Sequence, residues 1–193
     1  TWFLGTTAGD AIADVLFGNY NPSGKLPVTF PRNVGQIPIF YNEKNTGRPY
    51  SEQKYTTKYL DVPNTPLYPF GYGLSYTTFE YSEIKLEETQ MSKNSPLKAS
   101  VIVSNTGNKY GEEVVQLYTR QLVGSITRPV KELRAFKKIG LEPGESLEVT
   151  FSISWEDIAF YNPKNQFVVE AGEFLLFIGT NSQDVKETSF SFR

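Results

Sequence analysis

Hydrophobic and polar residues alternate with a period of two over much of the chain beyond residue 79. In residues 97–103, Leu97, Ala99, Val101 and Val103 share one face, and residues 146–153 show the cleanest alternation. Alternation of this kind predicts strands that bury one face. By the same pattern we predict further strands at 79–86, 113–119, 130–139, 167–169, 174–178 and 187–192.

Turn sequences separate the predicted strands. They include Asn-Thr-Gly-Asn at 105–108, Glu-Pro-Gly-Glu at 142–145 and Ala-Gly at 171–172. Short strands at such spacing are typical of an immunoglobulin-like β-sandwich. Because the chain has no cysteine, and so no Cys-Trp-Cys framework, the pattern favours the fibronectin type III-like version. We therefore predict a mainly β protein with a sandwich of seven to eight strands over 79–193.

A short α/β segment and a long loop precede this sandwich. Residues 9–18 predict a helix, in which Ile12, Val15 and Leu16 would face a core and Gly18 would end the helix. Residues 21–25 read as a turn, and residues 26–31 as an extended segment. Residues 32–67 show no clear period, and we predict that residues 32–78 form a long ordered linker that ends in an aromatic junction. The start at Thr1, without a methionine, suggests a piece of a longer protein.

Composition narrows the classes of function. A net charge of −2 without a run of Lys or Arg argues against nucleic-acid and polybasic membrane partners. No apolar run approaches the ~20 residues that span a bilayer. The absence of Cys and His removes the common zinc sites and Ser-His or Cys-His nucleophiles. We expect no metal and no cofactor.

Four segments, in order, carry a family resemblance. The segments are GDAIADVLFG with NPSGKLPVTFP (9–31), YPFGYGLSYTTFEY (68–81), RPVKELRAFKKI with LEPGESLEVTFSI (128–153), and VVEAGEFLLFIG (168–179). By these segments the chain resembles the glycoside hydrolases of family three, the β-glucosidases and β-xylosidases, over nearly its whole length.

This resemblance implies a C-terminal part of a retaining enzyme with a barrel domain and an α/β-sandwich domain upstream. The nucleophilic Asp and the acid/base Glu would lie in that upstream part. We therefore assign no catalytic residue to this chain and expect it to be inactive alone. The implied partners are the upstream catalytic domains and, for the full enzyme, a β-linked oligosaccharide. A periplasmic or extracellular location is also implied. The alternative is an independent carbohydrate-binding or adhesive fibronectin-like module.

Within that framework, residues 1–31 would be the end of the α/β-sandwich domain. The exposed apolar side of this segment would dock on the sandwich or mediate self-association of the fragment. In the loop at 41–50, Arg48 and Tyr50 are candidates for substrate contact, and interdomain packing is the alternative. Arg48 could hold a carboxylate or a sugar hydroxyl, while Tyr50 could stack.

The aromatic stretch from Tyr68 to Tyr81 is interpreted as a domain junction. Its expected junction residues are Tyr68, Phe70, Tyr72, Tyr76 and Phe79. Pro69, Gly71 and Gly73 give this stretch a kinked path rather than a flat strand. Ligand contact by Tyr72 or Tyr76 remains the alternative.

Three further features look structural in the sequence. The adjacent Glu112 and Glu113 are interpreted as a solvated charge cluster. Residues 125–129 are expected to form a loop that faces other domains, with Arg128 available for an ion pair. Trp155 is expected to belong to the core or to a seam, with an exposed sugar platform as the alternative.

Overall fold

The structure, a computed structural model, describes residues 3–193. It contains one nine-residue helix, α1, a short 3-10 helix at Val34–Gln36 and a one-turn helix, α2. The bounds are α1 Ala8–Leu16, β1 Phe79–Tyr81, β2 Lys85–Leu86, β3 Gln90–Met91, β4 Leu97–Asn105, β5 Gly111–Gln121, β6 Glu132–Leu141, β7 Ser146–Ile153, α2 Trp155–Ile158, β8 Phe160–Tyr161, β9 Phe167–Val168, β10 Gly172–Gly179 and β11 Val185–Phe192.

The sandwich consists of two sheets in which most strand pairs are antiparallel. In the first sheet β4 is central and pairs along its length with β7, while β1 and β2 pair with β4 as well. The stretch predicted as one strand at 79–86 is thus two short strands, separated by residues 82–84. The second sheet has the order β3–β11–β10–β5–β6, and β8 and β9 form a separate hairpin.

The core lies between the inner faces of the two sheets. The alternating residues of β4 are all buried, as predicted, and the inner face of β7 is buried from Val149 onward. Leu147, which was expected to share that face, is 44% exposed because it lies at the start of β7, near the end of the sheet. The mainly β, fibronectin type III-like fold is confirmed. The strand predicted at 167–169 is the short β9, whereas the small β3 and β8 were not predicted.

The helix α1 lies outside this core. None of its nine residues, all of which the structure describes, is buried. Leu16 is 71% exposed and Phe17 82% exposed, so the expectation that Leu16 faces a core is wrong within this chain. The helix is attached through the Tyr76 hydroxyl, which donates to the Val15 carbonyl at 2.6 Å. The helix ends before Gly18, whose φ of 77° is the left-handed conformation that was expected there.

The chain after α1 returns to the sandwich and pairs with the aromatic stretch. The Leu26 amide donates to the Tyr72 carbonyl and the Gly71 amide to the Leu26 carbonyl, both at 2.8 Å. Four residues further along, the Phe30 amide donates to the Tyr68 carbonyl at 2.9 Å. Residues 26–30 and 67–72 therefore form a short antiparallel ribbon, which sequence periodicity did not reveal.

Candidate functional site

A cleft of about 600 Å³ lies between the irregular segment before the sandwich and residues 130–131 and 182–183 of the sandwich. We call it the loop cleft. It is lined by Thr29, Gln36, Pro38, Ile39, Phe40, Tyr41, Glu43, Tyr50, Thr57, Lys58, Tyr59, Pro63, Asn64, Thr65, Pro66, Pro69, Val130, Lys131, Ser182 and Gln183. Its volume falls in the range of about 300–1,000 Å³ that is typical of small-molecule sites.

One buried amide holds the two halves of the loop together. The Gln36 side chain is 1% exposed, and its Nε2 donates to the Pro63 carbonyl at 2.9 Å. Its Oε1 accepts the Arg32 backbone amide at 2.5 Å. The Arg32 guanidinium donates in turn to the Thr65 carbonyl at 3.0 Å. These bonds fix one wall of the loop cleft although the segment has little regular structure.

Aromatic stacking joins the loop to the sandwich. The ring of Tyr41 stacks on Phe70 with centroids 4.3 Å apart and meets Tyr118 edge-on at 5.7 Å. Burial raises the pKa of the Tyr118 phenol. Next to this stack, the Val130 amide donates to the Glu43 carbonyl at 2.8 Å. Stacking and this backbone hydrogen bond thus join the loop to the sandwich.

Lys131 is the most perturbed charged group in the loop cleft. Burial lowers its pKa from 10.5 to about 8. Its ammonium donates to the Ser182 carbonyl at 2.6 Å and lies 4.3 Å from the ring centroid of Phe177. Sequence reasoning missed it because Ser182 and Phe177 lie about fifty residues downstream, so no local pattern signals the burial.

The structure places the two substrate candidates differently. Tyr50 lines the loop cleft and is 53% exposed, and its hydroxyl donates to Glu52 at 2.6 Å, which raises the pKa of the phenol. Arg48 is exposed and is not among the residues that line this cleft in the described chain. Its carbonyl accepts the Thr57 amide at 3.0 Å, so the backbone of the loop is fixed there.

The five junction candidates lie along one path over the sandwich. The ring of Tyr68 stacks on Tyr72 with centroids 5.0 Å apart and meets Phe30 edge-on at 6.2 Å. Phe70 stacks on Tyr41. Phe79 packs against the buried core. Tyr76 binds α1 and lies 5.4 Å from the Lys109 ammonium. Tyr72 and Tyr76 therefore both make contacts within the chain, Tyr72 with Tyr68 and Tyr76 with α1.

Gln116 of β5 binds the backbone in the middle of the aromatic stretch, at Gly71. Its Nε2 donates to the Gly71 carbonyl at 3.1 Å and to the Thr180 carbonyl at 2.6 Å. Its Oε1 accepts the Tyr118 hydroxyl at 2.5 Å. Gly71 has a φ of 80°, and a Cβ there would collide with the Gln116 amide. The position therefore requires glycine for two reasons, the backbone conformation and the close approach.

A buried ion pair lies beside Gln116, where the turn at 21–25 meets β5. The Lys25 ammonium lies 3.0 Å from Glu113 Oε2 and donates to the Thr180 hydroxyl at 3.0 Å. The Tyr81 hydroxyl donates to Glu113 Oε1 at 2.9 Å, and burial followed by the Glu113 charge raises the pKa of Tyr81. We call the contacts of residues 21–30 and 67–76 with β5 and Thr180–Ser182 the seam.

The interpretation of Glu112 and Glu113 as a solvated cluster is wrong for Glu113. Its side chain is only 3% exposed. Glu112 does face solvent, and its hydrogen bond from Lys138 lowers the pKa of the carboxyl. Neighbouring residues of a strand point to opposite faces, so one carboxylate turned outward and the other turned toward Lys25, which lies 88 residues earlier.

The side chains at the loop cleft and at the seam are suited to binding or positioning other groups. A retaining glycosidase requires two carboxyl groups about 5–5.5 Å apart. Of the described residues that line the loop cleft, Glu43 is the one acid. At the seam Glu113 is committed to Lys25 and Tyr81. Within residues 3–193 there is also no group of three or more acidic side chains with metal-binding geometry. Among residues 3–193, none of the helices combines the length and the apolar character that a bilayer crossing requires.

Two family models match the chain, one at its N-terminal end and one in its C-terminal part. Residues 1–76 match the glycosyl hydrolase family 3 C-terminal domain, and residues 113–182 match the fibronectin type III-like domain. The periplasmic beta-glucosidase of Salmonella typhimurium is 52% identical, over 98% of this chain and 25% of that protein. A putative beta-xylosidase of Formosa agariphila is 47% identical, over 100% of this chain and 25% of that protein.

Solved structures give the same result. The beta-glucosidase of Listeria innocua, crystallised with isofagomine, superposes with a TM-score of 0.93 at 43% identity. The alignment covers 99% of this chain and 27% of that one. The chain thus spans about a quarter of the length of its relatives. It belongs to glycoside hydrolase family three and corresponds to the C-terminal part of these proteins.

Proposed function

We propose that this chain is the structural C-terminal part of a retaining β-glucosidase that hydrolyses terminal β-linked glucosyl or xylosyl residues. In this proposal the catalytic carboxylates lie in upstream domains, and the chain buttresses those domains. The observation that carries the structural role is the seam, where the buried pair of Lys25 and Glu113 ties residues 21–25 to the sandwich. The glucosidase and xylosidase names of the relatives support the activity of the whole protein.

The proposal divides the chain into three parts. Residues 1–31 would complete the upstream α/β-sandwich domain, residues 32–78 would be the linker and junction, and residues 79–193 the fibronectin type III-like domain. In the described chain the apolar residues of α1, Leu16 and Phe17 among them, are exposed. They would pack on the upstream domain or, in the isolated chain, on a second copy. Light scattering of the purified chain would measure that self-association.

Activity assays test whether hydrolysis requires domains outside this chain. The purified chain should not hydrolyse an aryl β-glucoside, whereas the whole protein should. In the whole protein, Lys25→Met should shorten the thermal half-life of activity with no change of KM at low temperature. A buttress acts on stability and not on substrate contact. Hydrolysis by the purified chain, or a change of KM without loss of thermal stability, would contradict this assignment. Retardation of the purified chain in β-glucan gels would instead indicate a carbohydrate-binding module.

We also propose that the loop at 41–50 reaches the substrate in the whole enzyme through Arg48 and Tyr50. Their exposure in the described chain leaves both side chains accessible to a ligand. Arg48→Ala should raise KM for an oligosaccharide by about tenfold, the effect of losing one charge-assisted hydrogen bond. Lys54→Ala, at an exposed cation four residues beyond that loop, is the matched control. Equal kinetics for the two variants would remove Arg48 from the substrate site.

A periplasmic or extracellular location is part of the same proposal and is supported by the name of the Salmonella relative. Fractionation of the source organism, with detection of the whole protein, would test it.

A further inference from the structure

Two side chains near the end of β5 bury polar atoms that have no hydrogen-bond partner in the described chain. Gln121 is 5% exposed, and neither its Nε2 nor its Oε1 is bonded. The Arg128 side chain is 6% exposed, and its Nε and Nη1 are unbonded. Buried groups of this kind are rare in native proteins and commonly mark the position of a bound water, ion or ligand.

These two side chains meet at one glycine. A Cβ built on Gly124 would lie 3.5 Å from Arg128 Cγ and 3.6 Å from Gln121 Cδ. Both residues line a cleft of about 350 Å³, which we call the Gly124 cleft. Its volume is at the lower end of small-ligand sites, about 300–1,000 Å³. These are ordinary van der Waals distances, so Gly124 lies directly against both side chains at the cleft.

The charges around the Gly124 cleft favour an anion. Glu132 Oε2 accepts from Arg128 at 2.8 Å and from Arg134 at 2.7 Å, so one carboxylate serves two guanidinium groups. Arg120 is a third cation and lines the cleft. A second nearby carboxylate, Glu170, already accepts the Ser125 amide at 2.7 Å.

Asp157, which also acts on Arg134, is bonded to Ser154 at the start of α2. The Arg128 guanidinium stacks on Phe160 at 4.3 Å, which fixes its plane. The arginine is thus held in one orientation with donors left over. Nη2 completes both bidentate edges of the guanidinium and donates to Glu132, so Nε and Nη1 each offer a single hydrogen bond. An anionic oxygen is the acceptor that such a charged donor binds most strongly.

We propose that the Gly124 cleft is a carboxylate-binding site that takes a hexuronate. The carboxylate would accept from Nε or Nη1 of Arg128 after a small adjustment of the exposed loop at 122–125. The Gln121 amide needs both an acceptor and a donor, and a sugar hydroxyl supplies both. Chloride would satisfy Arg128 but leave the Gln121 Oε1 without a donor.

The neighbourhood of the Gly124 cleft fits a sugar acid. Asn45, from the loop at 41–50, also lines it, and Lys44 next to Asn45 pairs with Pro129. The cleft is therefore built partly from the loop that we propose to reach the substrate. A link between the bound uronate and a glycan substrate rests on that proposed function, but the binding itself does not.

The test is a titration of the purified chain with sodium glucuronate, at an ionic strength held constant with sodium chloride. Saturable binding with a dissociation constant on the order of 1 mM is expected for a ligand of this size. Glucose, which has the hydroxyls without the carboxylate, should not bind. Gln121→Glu places an internal carboxylate beside Arg128 and should weaken glucuronate binding at least tenfold. Gln53→Glu, the same change at an exposed loop position, should leave it unchanged.

Circular dichroism establishes that each variant is folded, and Arg128→Lys gives a second variant that keeps the charge but loses the planar donors. It should also weaken binding at least tenfold. The proposal is overturned if glucuronate does not bind, if glucose binds equally well, or if folded Gln121→Glu binds as the Gln53→Glu control does. A whole protein without glycosidase activity would refute the proposed function and leave these binding results unaffected.

Discussion

Lys25→Met should destabilise the chain strongly because it leaves a buried carboxylate without its counter-ion. The side chains of Lys25 and Glu113 are 13% and 3% exposed, so the carboxylate that loses its ammonium partner is largely withdrawn from solvent. Removing one partner of a buried pair typically costs about 3–5 kcal/mol. The Tyr81 hydroxyl still donates to Glu113 at 2.9 Å, which places the expected loss at the lower end, about 3 kcal/mol. The free energy of unfolding in urea, obtained by linear extrapolation, measures it.

The chain supplies a matched control for this substitution. Lys98 pairs with Glu87 at 3.2 Å, but the two side chains are 50% and 61% exposed. Lys98→Met should therefore cost less than about 1 kcal/mol, as exposed pairs do. In the double variant Lys25→Met/Glu113→Gln, the unpaired charge is gone and the amide can still accept from Tyr81. It should recover more than half of the loss.

Equal losses for Lys25→Met and Lys98→Met would refute the reasoning, because they would show that burial adds nothing to the pair. Failure of the double variant to recover stability would refute it in a second way. The loss would then come from the packing of the Lys25 methylenes and not from the stranded charge.

Two further substitutions test other parts of the seam and the loop cleft. Gly71→Ala should cost at least about 3 kcal/mol in urea unfolding, since it combines a left-handed backbone with a collision against Gln116. Gly9→Ala, in α1 with open space around it, should be neutral or stabilising by up to about 1 kcal/mol. Lys131 has a folded pKa near 8, below its ordinary 10.5, so between these values the unfolded chain binds more protons and stability should rise with pH. Lys131→Met should flatten that rise, and an unchanged slope would contradict the lowered pKa.

The strands could be predicted because their signal is local. The alternation of β4 reflects burial of every second residue against the opposite sheet, and that spacing can be read from nine neighbouring residues. The helix α1 was predicted for the same reason. Its outer face was misjudged because periodicity indicates an apolar side without saying what covers it, and Leu16 is exposed in this chain.

The seam and the clefts could not be predicted because their contacts are distant in sequence. Lys25 looked like part of a turn and Glu113 like half of a surface pair, yet they meet across 88 residues. Tyr50 was singled out from loop composition and does line the loop cleft, whereas Lys131, the most perturbed charge there, gave no signal. Arg128 was expected to form an ion pair and does so with Glu132, but its burial was not foreseen.

The two sides of the segment before the sandwich have opposite chemistry, and this difference indicates how it is used. The seam side is polar, and its bonds are completed within the chain by Glu113, Gln116 and the 67–72 backbone. Such bonds depend on geometry and hold residues 21–30 in one position. The other side, with Leu16 and Phe17, is apolar and exposed, and apolar contact is less demanding of geometry. Under the proposed packing of residues 1–31 on an upstream domain, the bonds of the seam would hold the apolar face in a preset position and so lower the entropic cost of that packing.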